Sequence, residues 1–154
     1  MTPKTPDNKF PVFLLSLIIV SFLQLNWKAS LGWSPELVMA LMVISGFYLN
    51  VLEMAALSAA GVFIFNWRPV PGAEILFFFF IPFLIVLARR FFPWRVEINN
   101  IAGIVLAVSL FYAVFGLQAL MANIPLFILI LVITAGFGAA GFQLFNYFYK
   151  ISPI

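Results

Sequence analysis

Long apolar runs separated by short polar breaks set the pattern of this chain. Residues 1–9 are polar, with Lys4 and Lys9 among two prolines, and read as a disordered cytoplasmic tail. Residues 10–150 then read as a single transmembrane helical domain. The first apolar run starts at Phe10 and predicts a helix over about 10–27. A basic lead before an apolar core also suits a signal peptide. The core is long, however, and the cleavage pattern near Trp27-Lys28-Ala29-Ser30 is weak, so a retained helix is expected. Ala29 to Trp33 reads as a loop. Ser34-Pro35-Glu36 has the chemistry of a helix start: a hydroxyl N-cap, a proline at the first position and a carboxylate at the positive end of the dipole. The second helix is therefore expected over about 34–50, with a soft break at Asn50 before a short third helix over about 52–67.

Pro69 and Pro71 stop the third helix and Gly72 completes a turn. The fourth helix covers about 73–92, with Pro82 expected to kink it and Pro93 to end it. The fifth covers about 98–121, Asn123 and Pro125 mark a tight turn, and the sixth covers about 125–149. The fold expected is all-α: a polytopic transmembrane bundle of about six helices, at roughly 20 residues per span. Residues 52–95 look like its organising hairpin, with a close-packing stretch from Ala55 to Gly61 and an outer turn from Asn66 to Glu74 suited to recognition.

Composition turns this pattern into a class. The chain has 154 residues, of which 65% are hydrophobic and 8% charged. Soluble domains are nearer half apolar and a quarter charged, so an integral membrane protein is expected. Lys4, Lys9, Arg89, Arg90, Arg95 and Lys150 fall on one side of a six-span topology, and Lys28 and Arg68 on the other. The positive-inside tendency then places both termini in the cytoplasm of a multi-pass membrane protein. Trp27, Trp33, Trp67, Trp94, Tyr147 and Tyr149 fall near predicted helix ends, as an interfacial aromatic belt does. Arg89, Arg90 and Arg95 read as a stop-transfer anchor that also suits anionic lipid or an acidic cytoplasmic partner. No basic patch carries an aromatic platform outside the membrane, so nucleic acid is not an expected partner.

Candidate chemistry is sparse. The chain has no cysteine and no histidine, which removes disulfides, thiol chemistry, iron–sulfur clusters, His-ligated haem and a His-built metal site. No metal site and no cofactor is expected. Glu36, Glu53, Glu74 and Glu97 each fall at or near a predicted helix start, where free N–H groups stabilise a carboxylate. That leaves no acid or base near the membrane midplane, which argues against a pump or coupled transporter. No nucleophile has a base beside it, and the chain reads as no enzyme. The best polar group is an outer-face set for a partner or ligand: Trp33, Glu36, Asn66, Trp67, Arg68 and Glu74. Its bland reading is a row of solvated helix caps with an interfacial arginine.

Small residues give the packing signal. Ala55/Ala59 and Ala56/Ala60, with Gly61, recur on the third helix, and Ala135/Ala139 and Gly136/Ala140 on the sixth. Such spacing lets helix backbones approach closely in lipid. The expectation is that the third and sixth helices pack on one another in the core, with partner binding as the second use. Asn50, Ser58, Ser109, Gln118, Thr134 and Gln143 are uncharged and suit interhelical hydrogen bonds.

The order of features resembles MreD, the small membrane subunit of the bacterial rod-shape (elongasome) system. It rests on Pro35-Glu36 at the start of helix two, a small-residue third helix ending at Asn66, a Pro/Gly turn, and a fourth helix from Gly72 ending in arginines, over roughly residues 10–120. The family commonly has an aspartate near the end of the third helix, and Asn66 stands there, so no role for that acid carries over. The resemblance implies a six-helix bundle similar to the S components of ECF vitamin transporters, with no catalytic activity. It implies a multi-pass subunit of the bacterial inner (plasma) membrane that joins an MreC-like partner in linking cytoplasmic MreB filaments to peptidoglycan synthesis. Two alternatives stay open. One is an S-component-like small-molecule binder with an outward pocket near Trp33, Trp67, Arg68 and Glu74; the other is a structural accessory subunit of another membrane complex.

Overall fold

The computed structural model describes residues 9–65, 73–88 and 96–149. These form seven helices and no strand: α1 (Lys9–Leu31), α2 (Leu37–Tyr48), α3 (Val51–Phe65), α4 (Ala73–Ala88), α5 (Val96–Phe115), α6 (Leu117–Ala122) and α7 (Ile124–Tyr149). α1, α5 and α7 are long and apolar enough to cross a membrane.

The helix ends depart from expectation where caps come from other helices. α1 does not stop near Trp27 but continues to Leu31. Gly32, at φ 77°, stops it there, and its N–H donates to the Lys28 carbonyl at 2.9 Å. This is the left-handed glycine cap, a conformation that costs other residues more. α2 does not begin at Ser34-Pro35. Both are buried in the connection, and the helix starts at Leu37 with Glu36 as its N-cap residue. The Glu36 side chain caps nothing. Instead the Val38 N–H donates to Gln24 Oε1 on α1 at 3.0 Å, and the Glu36 N–H donates to Thr134 Oγ1 on α7 at 3.0 Å. Orphan amides at the start of α2 are thus satisfied by two neighbouring helices.

The break after α2 is a reciprocal cap. The Asn50 N–H donates to Glu53 Oε2 and the Glu53 N–H to Asn50 Oδ1, both at 2.9 Å. Glu53 is therefore a capping carboxylate. The single helix expected over 98–121 is interrupted at Gly116, which separates α5 from α6. Glycine holds a helix less well than other ordinary residues. Asn123 then caps α7, its Oδ1 accepting from the Leu126 N–H at 3.2 Å.

α2 is the central element. Leu37 through Gly46 are all buried, and the helix packs on α1, α3, α4, α5 and α7. A helix apolar on every side needs such surroundings. Phe13, Leu17, Leu41, Met42, Met54, Leu57, Phe142 and Phe145 form one core cluster, and Met39, Val43, Ile81, Ile104 and Val108 form a second. Phe13 and Phe145 stack with ring centroids 4.4 Å apart. Lys9 Nζ lies 5.7 Å from the Tyr149 ring centre, so the start of α1 and the end of α7 share one end of the bundle.

The expected pairing of the third and sixth helices does not occur. Among the described residues α3 packs on α4 and α1, and α7 packs on α5 and α2. The close approach on α7 is made by Gly138, where an added Cβ would run into Ile104 Cδ1. Gly61 is buried against Leu17, and Ala55 and Ala60 are half-buried. Ala59, Gly136 and Ala140 are exposed, and an added Cβ at Gly136 would meet nothing within 4 Å. Large apolar side chains also face outward, with Leu52 82% and Phe63 79% exposed. An outer surface this apolar suits lipid rather than water.

Candidate functional site

At the end of the bundle opposite Lys9, the α1–α2 connection, the end of α5, α6 and the start of α7 enclose a cleft of about 210 Å³. Lys28, Trp33, Glu36, Tyr112, Asn123 and Phe127 are among its lining residues. Glu36 sits where the connection meets the first turn of α2, held by its backbone bond to Thr134. Thr134 is oriented in turn by donating to the Ile130 carbonyl at 2.7 Å.

The half-buried Glu36 carboxylate accepts from Gln24 Nε2 at 3.1 Å through one oxygen and from the Tyr112 hydroxyl at 3.3 Å through the other. Gln24 therefore holds both the carboxylate and the start of the helix it precedes. Both donors are neutral, and among the described residues no ion pair reaches Glu36. Glu36 stands in the connection, outside the helical spans. Burial holds its carboxyl above the ordinary value of 4.5, while the hydrogen bonds from Gln24 and Tyr112 and the charge of Lys28 act in the opposite direction.

Aromatic rings form much of the wall. Tyr112 and Phe127 meet edge to face at 5.3 Å, and Trp33 lies 6.0 Å from Trp27. Gly116 leaves room for Tyr112, because an added Cβ there would lie 3.0 Å from Tyr112 Cδ1. The missing Cβ at Gly116 thus gives the tyrosine ring its place in the site.

Of the residues expected at the outer face, Trp33 and Glu36 are brought together here. Asn66, Trp67 and Arg68 lie outside the described residues, as do Arg89, Arg90 and Arg95. Glu74 is described only as backbone in the first turn of α4. The reading of Glu36 as a solvated cap is corrected: its carboxylate is the centre of a half-buried hydrogen-bond group. Sequence reading missed Gln24, Lys28 and Tyr112 as its neighbours and gave Thr134 only a general interhelical role. One signal was available, since Gln24 and Lys28 are four apart and share a helix face.

A second feature lies on α7. Val132, Gly136, Ala140, Gln143 and Leu144 are exposed along one side of the helix. A carboxamide thus shares an otherwise apolar outward stripe with two small residues.

Fold and composition together are those of a helical membrane protein. No family model matches the chain, and neither a curated protein nor a solved structure matches it.

Proposed function

We propose that the chain is a non-enzymatic subunit of a bacterial inner-membrane complex that binds the membrane segment of a partner protein. The observation that carries this reading is the outward stripe of α7. Gly136 and Ala140 leave a shallow face where a second helix backbone can approach, and Gln143 offers a hydrogen bond on the same side. A carboxamide turned toward lipid has no water to satisfy it, and a partner helix supplies what lipid does not. The filled core supports the reading further, since the side chains around α2 leave the bundle centre to packing.

The setting we propose is the rod-shape machinery, with an MreC-like partner and both termini in the cytoplasm. That part rests on the order of sequence features and on the distribution of lysine and arginine. The cleft at Glu36 favours a second reading, an S-component-like small-molecule binder. Its volume of about 210 Å³ falls below the roughly 300–1,000 Å³ of pockets that enclose drug-sized ligands, so partner binding is the better account. Purification of the full chain from native membranes in mild detergent tests it. An MreC-like protein should accompany the native chain in fixed proportion and be lost with Gly136→Leu. A solitary chain, or a complex indifferent to that substitution, would overturn the proposal.

A further inference from the structure

We propose that the Glu36 cleft receives a single cationic side chain, a lysine ammonium or an arginine guanidinium, from the partner protein. The inference rests on the partner-binding reading above and names the chemistry that the partner brings.

Three observations converge. The first is a carboxylate with no counter-ion in contact, since Lys28 acts on it only from a distance. The Glu36 carboxylate lines the cleft with only a carboxamide and a phenol hydroxyl as hydrogen-bond donors, and no ion pair among the described residues reaches it. A carboxylate removed from water is costly unless a counter-charge meets it. The second is the wall. Trp33, Tyr112 and Phe127 line the same cleft, and aromatic faces attract cations most strongly where water is excluded. The third is size. A cleft of about 210 Å³ suits one side-chain head and its stem better than a whole small-molecule ligand. Lys28 also lines the cleft but is exposed and makes no ion pair with Glu36, so its charge competes with an entering cation rather than replacing it.

The test uses the full chain in phosphatidylglycerol nanodiscs, whose headgroups carry no ammonium, with n-butylguanidinium as the side-chain probe and the isosteric neutral n-butylurea as control. The readout is the indole N–H resonance of Trp33, assigned with Trp33→Phe. The expected result is a saturable shift with the cation and none with the urea. Binding should weaken at least tenfold in Glu36→Gln and tighten in Lys28→Gln. Gln is close to Glu in size and can still hydrogen-bond Gln24 and Tyr112, and Lys28 lies outside the core, so neither change threatens the fold. Equal response to cation and urea, or unchanged cation binding in Glu36→Gln, would overturn the inference. So would loss of the cation response on moving to phosphatidylethanolamine nanodiscs, because a lipid ammonium would then be the occupant. Cation binding without any co-purifying partner would refute the partner reading, and with it the partner as the source of the cation, while leaving the cation chemistry of the cleft standing. A partner retained by a cleft indifferent to cations would refute this inference alone.

Discussion

Glu36 shows how one side chain can change role between sequence and fold. Its position behind Ser34-Pro35 suggests a carboxylate at a solvated helix start. In the fold, Gln24 and Thr134 take the backbone amides that a cap would serve, and this frees the carboxylate to enter the cleft. No local pattern announces that arrangement, because Thr134 lies 98 residues away along the chain. The raised carboxyl of Glu36 has a consequence for stability. The folded state holds this proton more tightly than the unfolded chain, so stability falls as pH rises above about 4.5 and levels off once the folded group has ionised. Glu36→Gln should remove that part of the slope and raise the melting temperature at neutral pH. Thermal unfolding in detergent between pH 4 and 8 measures it, and parallel curves for the two proteins would count against the burial argument. Gly138 gives a second residue-scale prediction. Gly138→Ala forces a methyl against Ile104 and should cost about 1–3 kcal/mol, whereas Gly136→Ala should be nearly neutral. Spacing alone does not separate these two glycines, which lie two positions apart on one helix.

At the scale of elements, legibility follows where each cap originates. The α2–α3 break was visible because both partners, Asn50 and Glu53, lie within it. Replacing Asn50 with Ala removes the acceptor for the Glu53 N–H and should destabilise the protein by about 1 kcal/mol in denaturant titration. The α5–α6 break was not visible, because apolar residues continue on both sides of Gly116. The residue at the break also has a packing constraint, since an added Cβ at Gly116 would crowd the Tyr112 ring. Gly116→Ala should therefore push Tyr112 away from Glu36, weakening n-butylguanidinium binding in the titration described above. An unchanged affinity would mean that the break serves chain direction alone. The central place of α2 had a signal in its composition, since LVMALMVISGFY offers no polar face. That signal was shared by other apolar runs in the chain, so it marked burial for α2 and lipid contact for others.

Across the whole molecule, class was readable and arrangement was not. An apolar excess and few charges suffice for a helical membrane protein. Helix pairing did not follow, because lipid is as apolar as the core and the outward and inward faces of a span carry the same residue types. Small residues therefore sit inward at Gly61 and Gly138 but outward at Ala59, Gly136 and Ala140. The expected contact of α3 with α7 failed for that reason. The outward set on α7 then becomes the basis for the partner proposal, and site-specific photo-crosslinking in native membranes tests it most directly. A crosslinker at Ala140 should join the chain to one different polypeptide in high yield. The same group at Leu106, an outward position on α5, should not. Equal labelling at both positions, or capture of lipid alone at Ala140, would contradict a partner seated on α7.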